Sequence, residues 1–170
     1  MEGGTSVALM RRAILAAVLG ALAALAVAQV AGAQPSGFAA VIDGTDGSEI
    51  LRGTNGSDLI RAYAGEDRVF GFGAQDVIHG GDDNDLLLGE DGGDIILGGS
   101  GHDSISGGFG NESINGGPGR DTVYAGFGND YVVSTDGGVP DFVDCGPGND
   151  RVLADRRDQL VGCERIEYTS

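Results

Sequence analysis

From Gly44 to Val133, apolar and polar positions recur every nine residues through ten consecutive units. Position 8 of each unit is β-branched or Leu: Leu51, Ile60, Val69, Ile78, Leu87, Ile96, Ile105, Ile114, Val123 and Val132. Each unit opens on a Gly-rich stretch, such as Gly98-Gly99-Ser100-Gly101, and closes on a short run such as Ile95-Ile96-Leu97. A fixed short period with one core residue per unit predicts a stacked solenoid. The Gly-rich half is expected to turn, because Gly reaches positive φ at no steric cost. The closing half is expected as a very short strand. Two units then make one coil of 18 residues, with position 8 facing inward. At the usual spacing of about 4.8 Å between paired strands, ten units predict five coils in a rod about 24 Å long.

Position 6 adds chemistry to this pattern. It is acidic in every unit: Glu49, Asp58, Asp67, Asp76, Asp85, Asp94, Asp103, Glu112, Asp121 and Asp130. One carboxylate per unit among turns rich in backbone carbonyls is the donor set of a hard cation, and Ca²⁺ is the leading candidate. With two units per coil, units n and n+2 lie above one another, which gives eight stacked pairs and up to about eight ions. The thin core points the same way. Ten aliphatic residues bury too little to offset the ordering of so many glycines, each costing about 1–2 kcal/mol of backbone entropy. Folding is therefore expected to be coupled to metal binding.

The best units are Gly98-Gly99-Ser100-Gly101-His102-Asp103-Ser104-Ile105-Ser106 and Gly116-Gly117-Pro118-Gly119-Arg120-Asp121-Thr122-Val123-Tyr124. They resemble the G-G-x-G-x-D-x-U-x repeat of the RTX, or haemolysin-type, calcium-binding family. The resemblance implies an all-β fold, a parallel β-roll with Ca²⁺ held in the turns between successive coils. It implies Asp58, Asp67, Asp76, Asp85, Asp94, Asp103, Asp121 and Asp130 as side-chain ligands beside turn carbonyls. Glu49 and Glu112 enter that set as weaker members, since the extra methylene displaces the carboxylate. Ala74 and Asp83 replace the usual Gly at position 4, and Ala74 marks the weaker turn because Asp tolerates unusual φ/ψ better. Asp85 and Asp103, two units apart, are expected to share one ion.

Outside the array, Arg11 and Arg12 precede an apolar run from Ala13 to Ala28, followed by Ala31-Gly32-Ala33. This reads as a signal-peptide helix over residues 1–33, cut after about Ala33. An uncleaved anchor is the rival, but sixteen mostly Ala residues are short for a span. The expected product is secreted and extracellular, with no stable membrane span. Residues 34–43 are expected as a linker, 44–133 as the roll, and 134–170 as degenerate repeats and a cap. In the degenerate units Asp141 and Asp150 take position 6. The segment from Ala154 onward is charged and nearly free of glycine, as suits a polar element closing the last coil. Cys145 and Cys163, the only cysteines, are 18 residues apart, one coil. In an exported chain a disulfide is the default for such a pair.

Charge narrows the partners. Removing Glu2, Arg11 and Arg12 from 26 acidic and 10 basic residues leaves a net of −17. Such a surface repels nucleic acid and anionic lipid. Three functions compete: an extracellular calcium-binding roll, an adhesion or matrix module with calcium as scaffold and a cell-wall or extracellular partner, and a secreted hydrolase. The last lacks a catalytic constellation. There is no G-x-S-x-G or H-E-x-x-H, and the regular acids are explained by the period, so the chain is read as no enzyme. His79 and His102 are read as solvent-exposed. Phe109 and Phe127, both at position 3 and 18 apart, are expected to stack on one edge, as packing or as a partner patch.

Overall fold

The computed structural model describes residues 37–169; the expected signal segment lies outside them. Two parallel sheets face each other. The first has eight strands: β1 (Ala40–Asp43), β3 (Asp58–Ala64), β5 (Val77–Asp82), β7 (Ile95–Ser100), β9 (Ser113–Asn115), β11 (Tyr131–Ser134), β13 (Arg151–Ala154) and β15 (Arg165–Tyr168). The second has seven: β2 (Ile50–Arg52), β4 (Arg68–Gly73), β6 (Leu86–Asp91), β8 (Ser104–Phe109), β10 (Thr122–Phe127), β12 (Phe142–Asp144) and β14 (Gln159–Val161). The chain alternates between the sheets, so each strand pairs with the next but one. This is an all-parallel β-roll. Among the described residues no helix is long and apolar enough to cross a membrane.

The register follows the 18-residue coil. Ile42 pairs with Ile60, Ile60 with Ile78, Ile78 with Ile96, Ile96 with Ile114, and Ile114 with Val132. The other sheet carries Leu51, Val69, Leu87, Ile105 and Val123 in the same way. These residues form two facing rows and, apart from the partly buried Ile42 and Leu51, are sealed from solvent. Beyond Val133 the spacing becomes irregular, Val132 to Val152 and Val152 to Ile166, but the rows continue.

Two expectations need correction. Strands were expected only in the closing half of each unit. In the central coils they run six residues, as in Ile95–Ser100, and take in positions 1 to 3 of the next unit. The ladder continues through positions 1 and 2 whether these are Gly or not, as Gly81 with Gly99 and Phe72 with Glu90, so the turn shrinks to positions 4 to 6. The ten units make five coils, β2 to β11, but the stack runs beyond them at both ends. Ala40–Asp43 pairs with β3 at one end, and β12 to β15 extend both sheets at the other. The last segment thus enters the sheets as β14 and β15, and Ile166, in register with Val152, remains 41% exposed at the end of its row.

Cys145 and Cys163 are bonded, with Cα atoms 5.3 Å apart, in adjacent layers. Phe109 and Phe127 stack with ring centroids 5.1 Å apart and remain more than half exposed. His102 is exposed, as read from the sequence, but His79 is half-buried beside its strand neighbours, and burial lowers its pKa.

Candidate metal centre: two columns of buried carboxylates

Position 6 ends each turn and aims its side chain between coils. Because successive turns join the sheets alternately at opposite edges, the acids form two columns. One runs Glu49, Asp67, Asp85, Asp103, Asp121; the other runs Asp58, Asp76, Asp94, Glu112, Asp130. From Asp58 onward, all of them are sealed from solvent.

Within a column each Asp from Asp67 onward uses one oxygen in the same way. Its Oδ1 accepts the backbone N–H of the acid one coil earlier. Asp67 Nα donates to Asp85 Oδ1 at 2.9 Å, Asp85 to Asp103 at 2.9 Å, and Asp103 to Asp121 at 2.9 Å. In the other column Asp58 donates to Asp76 at 2.7 Å, Asp76 to Asp94 at 2.8 Å, and Glu112 to Asp130 at 2.9 Å. The second oxygen is left over. Oδ2 of Asp67, Asp76, Asp85, Asp94, Asp103, Asp121 and Asp130 is buried with no hydrogen-bond partner. A buried, unpaired carboxylate oxygen is costly unless a charge answers it.

The surroundings of that oxygen are themselves oxygen-rich. A Cβ built on Gly71 would stand 2.6 Å from Asp76 Oδ2 and 2.7 Å from the Gly89 carbonyl oxygen. Gly80, Gly89 and Gly98 each face the Oδ2 of Asp85, Asp94 and Asp103 and the position-1 carbonyl of the next coil in the same manner. Glycine at position 1 thus keeps open a cradle between a carboxylate and a carbonyl. Ala62 and Ala125 put a methyl at the same position. Hard divalent cations take such oxygen donors, so the donor set fits Ca²⁺. Among the described residues no three His, Cys, Asp or Glu side chains converge. Backbone carbonyls must therefore complete any site.

Burial raises the pKa of these acids in the metal-free chain. Asp76 is pushed up to about 7, and Asp85, Asp103 and Asp121 to about 6; the hydrogen bond from the preceding coil's N–H partly offsets this. Glu112 departs furthest. Both its oxygens are buried and unpaired, and burial, together with Asp130, lifts it to about 9. The displaced carboxylate expected from its extra methylene is thus visible as a break in the ladder. Glu49 and Asp58 differ in the opposite sense. Their oxygens accept from Thr45 and Thr54 within their own turns.

Several members of the columns did not stand among the expected ligands. Asp141 and Asp150 continue them, accepting from Asp121 and Asp130 at 2.8 Å each, and keep a buried unpaired Oδ2. Their place at position 6 of degenerate units was the signal. Asp158 and Glu164 end the columns, accepting from Asp141 at 3.1 Å and Asp150 at 2.8 Å. Irregular spacing hides both. A second ladder runs at position 5: His102 Nα donates to Asn84 Oδ1, Arg120 Nα to His102 Nδ1, and Asn129 Nα to Asn111 Oδ1. Recurrent Asn at that position was its signal.

A parallel roll with buried acids in register defines a class of repeat protein, calcium-binding β-rolls. The model of the RTX calcium-binding nonapeptide repeat (4 copies) matches residues 43–71, 70–105 and 106–138. That is more than half of the chain, and the chain belongs to this family. The repeat is a structural, non-catalytic element. No curated protein and no solved structure matches the chain.

Proposed function

We propose that this chain is an extracellular calcium-binding protein whose β-roll becomes fully ordered when the cation binds. The observation that carries this reading is the repeated buried Oδ2 facing a backbone carbonyl of the next coil. In this reading Asp76, Asp85, Asp94, Asp103 and Asp121 hold Ca²⁺ together with turn carbonyls. Asp67 and Asp130 take part behind Ala62 and Ala125, and Glu112 contributes a weaker site. Asp141 and Asp150 extend the set. When bound, the cation supplies the positive charge and the oxygen coordination that the buried acids lack. The residues themselves fix the register: each Oδ1 is held by the preceding coil, so its partner oxygen is already aimed.

Flexible turns of this kind suit millimolar, extracellular calcium. The Ala31-Gly32-Ala33 signal and the disulfide both favour an exported chain. β14 and β15, with the disulfide behind them, would serve as the closing element of the stack. Calorimetric titration of the disulfide-intact chain tests the function. Several ions bound at millimolar calcium support it, and no heat of binding overturns it.

A second reading, an adhesion module, draws on the exposed Phe109–Phe127 ridge. Calcium then only builds the scaffold that presents the two rings to a cell-wall or extracellular partner. A pull-down with the parent and a Phe109→Ser/Phe127→Ser variant, with and without chelator, separates the two readings.

A further inference from the structure

Position 2 divides the array into two kinds of unit. In the array it is Thr45, Thr54, Tyr63, Phe72, Gly81, Glu90, Gly99, Gly108, Gly117 and Gly126. From Tyr63 onward every one of these residues is left-handed, the aromatic and acidic side chains included: φ is 78° at Tyr63, 77° at Phe72 and 74° at Glu90. Thr45 and Thr54 alone are not. A β-branched residue pays most for positive φ, so Thr holds the turn in the ordinary hand.

The consequence is a different route for the N–H at position 2. In the left-handed Gly99 it donates outward, to the Gly116 carbonyl of the next coil at 3.0 Å. Thr45 Nα instead turns to Glu49 Oε2 at 2.8 Å, and the Thr45 hydroxyl donates to Glu49 Oε1 at 2.8 Å. Thr54 treats Asp58 alike, with Nα on Oδ2 and the hydroxyl, shared with the Gly56 carbonyl, on Oδ1 at 3.2 Å. Both oxygens of each acid are thereby occupied by neutral donors. In the units that follow, from Asp67 to Asp130, an oxygen of each acid is buried and unpaired.

We propose that the backbone hand at position 2 opens or closes a unit to the cation, and that Thr45 and Thr54 close the first two. The donor set beside Asp58 is otherwise present. A Cβ on Gly53 would stand 2.8 Å from Asp58 Oδ2 and 2.5 Å from the Gly71 carbonyl oxygen. What separates this unit from its neighbours is the donor pair that Thr54 turns onto the acid. Closing the first units without an ion lets the roll begin on hydrogen bonds alone. The inference rests on the calcium-binding reading and fixes where along the columns binding starts.

The test is an ion count by equilibrium dialysis with ⁴⁵Ca²⁺ on the full chain, for the parent, Thr54→Gly and Thr54→Val. Thr54→Gly frees position 2 to become left-handed and removes the hydroxyl; the expected result is one more ion per chain than the parent. Thr54→Val keeps the β-branch and loses only the hydroxyl; the expected count is that of the parent. An unchanged count for Thr54→Gly in a chain that folds like the parent by circular dichroism overturns the inference. So does an equal gain for Thr54→Val, which would assign the effect to the hydroxyl rather than the hand. A parent that binds no ion overturns the calcium-binding reading itself, and the inference with it.

Discussion

The middle of the carboxylate columns and their C-terminal ends are built from the same residue type and satisfy it differently. Between Asp67 and Asp150 each Asp of the columns gives one oxygen to the preceding coil and buries the other unpaired. Around the last coils, carboxylates find donors within the protein. Asp158 Oδ2 accepts from the Ser134 hydroxyl at 3.0 Å and from Asp155 Nα at 2.7 Å. Asp155 accepts from Gly137 Nα at 3.0 Å and from the Thr169 hydroxyl. The disulfide ties this region further. The difference teaches that the same acid can be either a hydrogen-bond hub or half of an ion site. The choice lies with whether a donor stands in the turn.

The largest effect that sharpens the contrast is a backbone one. Gly117 is left-handed, with φ 96°, and an added Cβ would run into the carbonyl of Gly99 one coil away. Gly117→Ala should destabilise the calcium-loaded roll by at least about 3 kcal/mol, near the top of the usual range for one substitution. Chemical denaturation in saturating calcium measures it. The same Ala substitution at Gly138, whose added Cβ meets nothing within 4 Å, should cost less despite its φ of 103°.

Breaking the disulfide comes next. In the chain-entropy model an 18-residue loop is worth roughly 3 kcal/mol. Cys145→Ser/Cys163→Ser should lose stability of that order at the C-terminal end while the ion count stays that of the parent. A large fall in the ion count would show the two regions to be one cooperative unit.

Acidity separates the regions by sign. In the metal-free chain the central acids have folded pKa values above their unfolded ones: about 7 for Asp76 and Asp141, and about 6 for Asp85, Asp103 and Asp121, chiefly through burial. A raised pKa contributes stability that is fully present below the unfolded value, near 4, and is lost as pH rises through the folded one. In chelator, the central coils should therefore be most ordered at or below about pH 4 and lose β signal as pH rises through about 6 to 7, with Glu112 carrying the loss on towards about 9. Asp155 is shifted downward, first by the Thr169 hydroxyl bond. Its contribution is present above the unfolded pKa and is lost as pH falls through the lowered value. Circular dichroism for the centre, and amide exchange at Asp136 and Gly137 for the end, should follow opposite slopes.

The smallest effect concerns strain. Ala74 sits at φ 69° on an exposed turn. Ala74→Gly should relieve roughly 1–2 kcal/mol of left-handed strain, less about 0.5–1 kcal/mol for the freer unfolded chain. A gain of about 0–1.5 kcal/mol is expected in the same denaturation assay.

Much of this was legible in the sequence. The strict placement of Ile, Val or Leu at position 8 dictates the two inner rows, and the acid at position 6 dictates the columns. Cys145 and Cys163 declare their pairing by sitting one coil apart. The reach of the strands into positions 1 to 3 was not legible, because Gly-rich stretches signal turns and pair as strands only once a neighbouring coil is in place. The division of the acids was hidden too. Thr45 and Thr54 look like ordinary turn residues until their backbone hand is seen. Asp158 and Glu164 escape because the spacing beyond Val133 loses its period, although the columns do not end there.

The central claim is that the buried acids of the middle coils need a cation to fold. The most direct measurement is a calcium titration of the disulfide-intact chain at pH 7.5, followed by far-ultraviolet circular dichroism, for the parent, Asp103→Asn and Arg120→Ala. The account predicts a cooperative gain of β signal in the parent at millimolar calcium. It predicts a midpoint moved to higher calcium for Asp103→Asn, with reduced cooperativity, and an unchanged curve for Arg120→Ala. A parent whose β signal is complete in chelator, or an Asp103→Asn curve that overlays the parent, would contradict it.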